Sequence, residues 1–477
     1  MIAQRLSARR LVQLLGDWRG EGHSYLELSD SIALLVRDGT VPTGTALPAE
    51  RPLSDALGVS RTTVSASYQR LRESGLAHSR QGSGTVIRAQ RAGTAEDPAG
   101  GDGEIDLTTA CPAPWGGLAE LSGRAFAEHA DAFTLVGYDT IGRPDLRQAI
   151  ADRYTLRGLP TSPDQIMVTL GAQHANFLVA RTLLRRGDRS LIESPSYPHA
   201  REALAATGAL IAELPVASDG YDAASILDIA ARTSPRLAYL IPDHHNPTGQ
   251  SMPEELRSAL IGTLTAQGSY ILADETTAEL TLGPPRLVRP FAAAAEHAHQ
   301  RDAIITVGSL GKSVWGGLRV GWIRASPELV ARLEVSRRIG DLGTGTWEQV
   351  IALLALERYD EILAERAVAH AAQYRALAEQ VAADFPEWTL PRVAGGVSAW
   401  VDLGGHHSTR LARAGARNGV RLAPGPRFGS PGVFERFTRF PFSAPAEDLR
   451  ESVRRLRDAW SADAGADRAA VDAQAVV

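Results

Sequence analysis

Apolar residues recur at helical spacing in the first part of the chain. Tyr25, Leu28, Ile32 and Leu35 share one face of a helix that Asp38-Gly39 stops. Residues 39–47, with Pro42 and Gly44, read as a loop. Pro48 opens a second helix with Leu53, Ala56 and Leu57 inward, and Gly58 breaks it, as the tight turn of a helix-turn-helix requires. Ser60 is a natural N-cap for a third helix, with Val64, Tyr68 and Leu71 inward and Arg61, Thr62, Ser65 and Arg72 outward. Residues 76–79 and 85–87 are short extended pieces joined by Arg80-Gln81-Gly82-Ser83-Gly84, the pattern of a hairpin wing.

Farther along, helical stretches alternate with short β-rich runs at 165–169, 190–193, 237–241, 269–273, 303–307 and 320–323. Strands separated by helices imply a mostly parallel sheet with helices on both faces, an α/β architecture. Ligands of such sheets bind outside the carboxyl ends of the strands. Between the two patterns, residues 89–106 hold four glycines, Pro98 and only Ile105 as a large apolar residue, so the segment reads as a flexible linker. A linker of this length spans about 23 Å as a coil and about 60 Å fully extended, enough for the flanking domains to swing or to reach a partner subunit. Residues 461–477, with seven alanines in 17 positions, read as a disordered tail. The expected organisation is a domain over 1–90, a linker over 91–106, a large domain over 107–460 and that tail.

Composition narrows the class. The 477 residues are 44% hydrophobic and 22% charged with a formal charge of −5, which excludes a disordered or collagen-like chain. A single cysteine, Cys111, excludes a disulfide framework and a thiolate zinc site. No apolar run approaches the roughly 18 residues of a membrane span. The N-terminus, with Gln13 interrupting Leu11 to Leu15, is a poor signal peptide, so a cytoplasmic location without membrane contact is expected. Charge is unevenly spread: residues 1–90 carry 11 Arg against 8 Asp and Glu, leaving the rest at −8. From Ser60 to Arg88 there are five Arg against one Glu, an excess that suits phosphate contacts and groove entry by a helix and wing.

The N-terminal part resembles the winged helix-turn-helix of the GntR family of bacterial regulators, in Leu47-Pro48-Ala49-Glu50-Arg51, Gly58-Val59-Ser60-Arg61-Thr62-Thr63-Val64 and Gln81-Gly82-Ser83-Gly84-Thr85. The resemblance implies binding to double-stranded promoter DNA as a dimer on two half-sites. It assigns Arg51, Arg61, Thr62 and Thr63 to phosphates and bases and brings Gly84 of the wing to the minor groove.

The most informative count comes last. Of 50 basic residues 49 are arginine and one, Lys312, is lysine. Arginine serves every solvated charge, whereas a deprotonatable primary amine requires lysine. The strand ends give Lys312 company: Gly171-Ala172-Gln173 opens a helix after the first run, Asn246-Pro247-Thr248-Gly249 follows the third, Asp274 the fourth, and Ser309 and Lys312 the fifth. Pyridoxal phosphate explains this set. It needs a lysine amine to hold its aldehyde carbon, an acid beside its pyridine nitrogen and a cationic cup for its phosphate. Lys312, Asp274, and Arg319 with Ser309 and the amides of Gly171, Ala172 and Gln173 supply these. His244 and His245 have no third ligand at metal spacing and read as polar loop residues, so no metal is assigned.

The large domain resembles the fold-type I aminotransferases in Tyr138 with Gly142 and Leu146-Arg147, Gly171-Ala172-Gln173, Ser194-Pro195-Ser196-Tyr197, Asn246 to Gly249, Asp274, and Ser309 to Lys312 continuing through Gly317-Leu318-Arg319. That resemblance implies a smaller C-terminal α/β subdomain over about 345–460. It has Tyr197 stack on the pyridine ring, Asn246 bond the phenolic oxygen and Tyr138 reach the phosphate of the neighbouring subunit. Arg439 in Arg439-Phe440-Pro441-Phe442 would clamp the substrate carboxylate, with Arg436 the competing candidate. Relatives place a tyrosine two or three residues after the acid to bond the phenolic oxygen. Thr276 and Thr277 stand there instead, and a threonine hydroxyl is the available substitute.

A GntR-like winged helix joined to such a domain is similar to the MocR subfamily of transcription regulators. The resemblance implies a head-to-tail homodimer, with each DNA-binding domain against the other subunit, that senses an amino acid, an amine or pyridoxal phosphate itself. The alternatives are an active aminotransferase with an appended DNA-binding domain, and a sensor that binds amino compounds without turning them over.

Overall fold

The computed structural model describes residues 5–16, 18–19, 24–37, 39–80, 84–88, 103–134, 137–430 and 432–474, with side chains described as far as 461. The N-terminal domain contains helices α1 (Ala8–Leu15), α2 (Ser24–Arg37), α3 (Glu50–Leu57) and α4 (Arg61–Glu73), and an antiparallel hairpin of β1 (Ala77–Arg80) and β2 (Gly84–Ile87). Gly58 takes a left-handed conformation, φ +63°, that turns α3 into α4, and the Ser60 hydroxyl accepts from the Thr63 amide at 3.1 Å to cap α4. Leu28, Ile32, Leu53, Val64 and Leu71 form the core with Leu11 and Leu15 of α1. The buried Tyr68 hydroxyl donates to the Pro48 carbonyl at 2.8 Å, tying α4 to the loop before α3. Helix α1 was invisible in the pattern because it makes only about two turns, and Val12 and Leu14 blur the face carried by the buried Leu11 and Leu15. Tyr25 and Ala56, expected inward, are exposed. Asp38 and the wing residues Gln81, Gly82 and Ser83 lie outside the described residues.

The large domain opens with β3 (Ile105–Leu107). Its central sheet comprises β4 (Ile166–Thr169), β5 (Arg189–Ser194), β6 (Leu210–Pro215), β7 (Leu237–Leu240), β8 (Tyr270–Asp274), β9 (Ile304–Ser309) and β10 (Gly321–Arg324), in the order β4-β10-β9-β8-β7-β5-β6. Strands β6, β5, β7, β8 and β9 run parallel, and β10 is antiparallel to both β9 and β4. Helices bury both faces. Along the strands Leu191, Ala238, Leu240 and Ile271 enter one apolar cluster while Ile192, Leu237, Tyr239 and Leu272 enter the other. Two-sided burial is why these strands read as continuous apolar runs.

The C-terminal subdomain holds β11 (Ser398–Asp402), β12 (Val420–Leu422) and β13 (Phe437–Pro441), with β11 antiparallel to β13 and β12 parallel to β3. That last pairing corrects the linker boundary of 91–106. Ile105 lies opposite Val420 and Leu107 opposite Leu422, so residues 105 and 106 belong to the folded domain, while 89–102 lie outside the described residues. The tail needs correction too. The helix Ala446–Gln474 runs through it, because an alanine-rich segment favours continuation of a helix already anchored by buried Leu449, Val453 and Leu456. Residues 475–477 lie outside the described residues.

The N-terminal domain docks on the C-terminal subdomain of its own chain, whereas the resemblance implied docking against the other subunit. From the helix Ser408–Arg417, the buried Arg413 Nη1 donates to the Trp18 carbonyl at 2.9 Å, the Glu27 carbonyl at 3.2 Å and Ser31 Oγ at 3.0 Å. Arg417 Nη1 lies 3.5 Å from Asp30 Oδ2. Among the described residues no helix is long and apolar enough to cross a membrane.

Candidate functional site

Lys312, Asp274, Asn246, Tyr197, Ala172, Gln173, Ser309, Arg319 and Arg439 line one cavity of about 550 Å³ at the carboxyl ends of β7, β8 and β9. Lys312 follows β9, and its Nζ donates to the Ala110 carbonyl at 2.7 Å. Burial pushes its pKa below the ordinary lysine value. Nearby Cys111 and Asp274 oppose the shift, and Arg439 and Arg319 add to it.

Asp274 ends β8 and is held from four sides. Oδ2 accepts from Tyr239 OH at 2.9 Å and Asn176 Nδ2 at 3.2 Å, and Oδ1 accepts from Thr276 Oγ1 at 2.6 Å and Thr276 N at 3.1 Å. Burial beside Asp274 raises the Tyr239 pKa far above the usual phenol value, so its hydroxyl remains a donor. The sequence reading missed both Tyr239 and Asn176. A tyrosine inside a fully buried strand was the available signal, since its hydroxyl needs a partner. The threonine expectation fails: Thr276 spends its hydroxyl on Asp274, and Thr277 Oγ1 faces the backbone carbonyl of Asp243 at 3.3 Å.

The residues expected to form the anion cup lie where β4 meets the helix Ala172–Leu183. Gly171 is its N-cap, with φ +86° and no side-chain cap, so the first amides of the helix point outward unpaired by a capping group. Arg319 closes the cup through Nη2, which donates to the Leu170 carbonyl at 2.9 Å. The φ of +86° at Gly171 is what demands glycine, and a β-carbon there would also stand 3.0 Å from Arg319 Nη2. Gly171→Val is therefore expected to weaken uptake of pyridoxal phosphate about tenfold or more, measured by titrating the cofactor into apoprotein. Ser309 Oγ donates to the Val320 carbonyl at 3.1 Å and accepts from Gly311 N at 3.0 Å, so it reinforces the turn that presents Lys312.

Burial raises Tyr197 to a pKa of about 12, keeping it neutral, with Asp274 next in effect. The Asn246 amide oxygen is buried without a hydrogen-bond partner. The adjacent histidines fix the Asn246 loop: His245 Nδ1 lies 2.9 Å from Thr248 Oγ1, and burial lowers the His244 pKa to about 4. Arg439, on β13, is 5% exposed, with its guanidinium carbon 4.9 Å from the Phe428 ring centre and its buried Nε unpartnered. Arg436 sits outside the cavity, 52% exposed and paired with Asp402 at 2.7 Å. Tyr138 is 77% exposed and does not line the cavity of its own chain.

On the N-terminal domain Arg51, Arg61, Thr62 and Gly84 are exposed, and Thr63 is half-buried. Arg61 Nε lies 3.4 Å from Glu50 Oε2, and the Thr62 and Thr63 hydroxyls lie 2.7 and 2.8 Å from Ser60 Oγ, inside the α4 cap. Arg72, expected outward, instead bonds Thr85 Oγ1 at 3.2 Å and braces the wing.

The family model for aminotransferase class I and II matches residues 122–456, and that for bacterial regulatory proteins of the gntR family matches residues 24–87. The HTH-type transcriptional regulator TauR of Rhodobacter capsulatus is 26% identical over 486 residues, covering 92% of this chain and 97% of that protein. The probable rhizopine catabolism regulatory protein MocR of Rhizobium meliloti is 30% identical over 336 residues, 64% of this chain and 66% of that one. The chain belongs to the aminotransferase class I and II family and, with its gntR-type N-terminal domain, to the MocR subfamily of transcription regulators. The crystal structure of LysN, an alpha-aminoadipate aminotransferase from Thermus thermophilus complexed with N-(5'-phosphopyridoxyl)-L-leucine, superposes with a TM-score of 0.67 at 27% identity, covering 76% of this chain and 93% of that one. The MocR-type chain is a transcription regulator that binds pyridoxal phosphate. Its site fits the cofactor: Ala172 and Gln173 at the uncapped start of their helix, Arg319, and Asn246 with its orphaned amide oxygen all line one ligand-sized space.

Proposed function

We propose that this regulator senses an amino compound, or pyridoxal phosphate itself, in the Lys312 cavity and converts its occupancy into a changed affinity for promoter DNA. One observation carries the reading: Leu34 and Arg37, from α2 of the DNA-binding domain, line the same cavity as Lys312. The helix Ser408–Arg417 joins the two sites, with Ala412 and Ala416 on the cavity and Arg413 and Arg417 on α2. A ligand shifts such an arrangement only if it binds the docked and undocked forms unequally, and a wall shared by both domains supplies that inequality.

In this reading Lys312 would hold the cofactor covalently, and Asp274 would keep its pyridine nitrogen protonated, which lets the ring withdraw electrons. Tyr197 would stack on the ring, and Asn246 would bond its phenolic oxygen. Arg319 and the backbone at Gly171, Ala172 and Gln173 would hold the phosphate, with Ser309 bracing the turn beside them, and Arg439 would clamp the effector carboxylate. The exposed Tyr138 serves the second copy of a homodimer. Phe126, Phe133 and Trp347 form an aromatic cluster, the latter two stacked at 5.0 Å, with both phenylalanines more than half exposed. A face of that kind is suited to burial against a second subunit. The protein acts in the cytoplasm, where promoter DNA is accessible.

DNA contact is assigned to Arg51, Arg61, Thr62, Thr63 and Gly84. Arg61→Ala is expected to weaken promoter binding about fivefold or more and to flatten the salt dependence, checked by binding isotherms at several salt concentrations.

A second reading, an active aminotransferase, is favoured by the placement of Lys312 and Arg439 on one cavity. There Lys312 Nζ would carry a proton to and from the substrate α-carbon. Incubation of the loaded protein with amino acids and 2-oxo acids separates the two: turnover at about 1 per second or faster indicates an enzyme. A spectral change without turnover, accompanied by altered promoter affinity, supports the sensor.

A further inference from the structure

Six cationic side chains and one acid line the cavity: Arg37, Lys312, Arg319, Arg421, Arg427 and Arg439 against Asp274. Most of this charge has an assigned counterpart. Lys312, Arg319 and Asp274 answer to the cofactor and Arg439 to an α-carboxylate. Arg421 Nη1 lies 3.3 Å from Asp106 Oδ2, and Arg427 Nη2 lies 2.6 Å from Glu202 Oε1. Arg37, at the last turn of α2, has no acidic partner among the described residues, and its exposed guanidinium borders the cavity. The same cavity is also lined by the apolar residues Leu34, Ala412, Ala416, Val397 and Leu422.

We propose that the effector is an α-amino acid carrying a second, distal anion on a methylene chain, its α-carboxylate on Arg439 and its distal anion on Arg37 of the DNA-binding domain. The inference rests on the cofactor-site reading above and adds the ligand class and the contact through which binding reaches DNA. Arginine suits a carboxylate because its fork donates two parallel hydrogen bonds. The apolar lining residues suit the methylenes between the two anions. A ligand spanning both arginines bonds α2 to the Lys312 site. Ligand and docked domain then stabilise each other reciprocally.

The test titrates L-glutamate and L-2-aminoadipate, with L-glutamine and L-norleucine as uncharged counterparts, into cofactor-loaded wild type, Arg37→Gln and Arg37→Lys, following the cofactor absorption band. The acidic probes are expected to bind wild type at least tenfold more tightly than the neutral ones. In Arg37→Gln that preference should shrink to about threefold or less, while the neutral probes keep their wild-type affinity, and Arg37→Lys should restore part of it. Absence of an acidic preference in wild type, its persistence in Arg37→Gln, or an equal loss for acidic and neutral probes overturns the proposal. So does an Arg37→Gln defect confined to promoter binding without ligand, which would make Arg37 a phosphate contact. Each variant's own cofactor band separates the two levels. A wild type that takes up no pyridoxal phosphate overturns the cofactor-site reading together with this one, whereas a loaded protein that ignores the Arg37 substitution overturns this one alone.

Discussion

Lys312→Ala is expected to take up pyridoxal phosphate without covalent attachment, to lose the visible band of the loaded protein and to release the cofactor on dialysis. No other side chain can replace the lost amine, because Lys312 is the one lysine among 477 residues and arginine does not deprotonate in a protein. Lys312→Arg sharpens the test: it keeps the charge and most of the bulk and should lose attachment just as completely. The buried environment also sets a pH expectation. Burial stabilises the neutral amine, so the folded pKa lies below the ordinary lysine value, and Arg439 and Arg319 push it the same way. The rate of cofactor capture should rise with pH as the amine deprotonates, with its midpoint below that of a solvent-exposed lysine. Stopped-flow mixing of apoprotein with cofactor across a pH series measures it.

Arg439→Ala is expected to cost the next largest effect, about 2 to 5 kcal/mol of affinity for ligands with an α-carboxylate, or roughly 30- to several-thousand-fold. The guanidinium is buried against Phe428, its Nε is unpartnered, and its Nη2 donates to the Thr108 carbonyl. Burial lowers its pKa to about 10, which leaves it charged at neutral pH and ready for an anion. Amines lacking a carboxylate should lose little affinity, so titrating an amino acid and the corresponding amine into the same variant distinguishes a carboxylate clamp from a general packing defect. Arg436→Ala, outside the cavity, should change neither.

Much of this arrangement was legible in the chain because the chemistry is bound to local signals. A solitary lysine, a strand-end aspartate and a glycine opening a helix each occupy short segments whose periodicity fixes their place in an α/β fold. The DNA-binding domain was legible for the same reason, since Gly58 and Ser60 mark a turn and a cap in sequence. What escaped reading depends on distant packing. Strand β3 has three residues and exists because β12, more than 300 positions away in the chain, pairs with it. The edge strand β6 was missed because its residues are mostly half-exposed and carry no continuous apolar run. Arg413 reads as one of 49 arginines until the structure shows it buried against α2, and Arg37 reads as a helix-end charge until it appears in the wall of the Lys312 cavity.

The central claim is that occupancy of the Lys312 cavity alters DNA binding through the shared wall. A single titration measures it most directly: the affinity of cofactor-loaded protein for its promoter fragment, recorded with the cofactor absorption while an acidic amino acid is added. The spectral change and the change in promoter affinity should follow the same concentration curve, and both should vanish in Lys312→Ala. A full spectral change with promoter affinity constant throughout would contradict it.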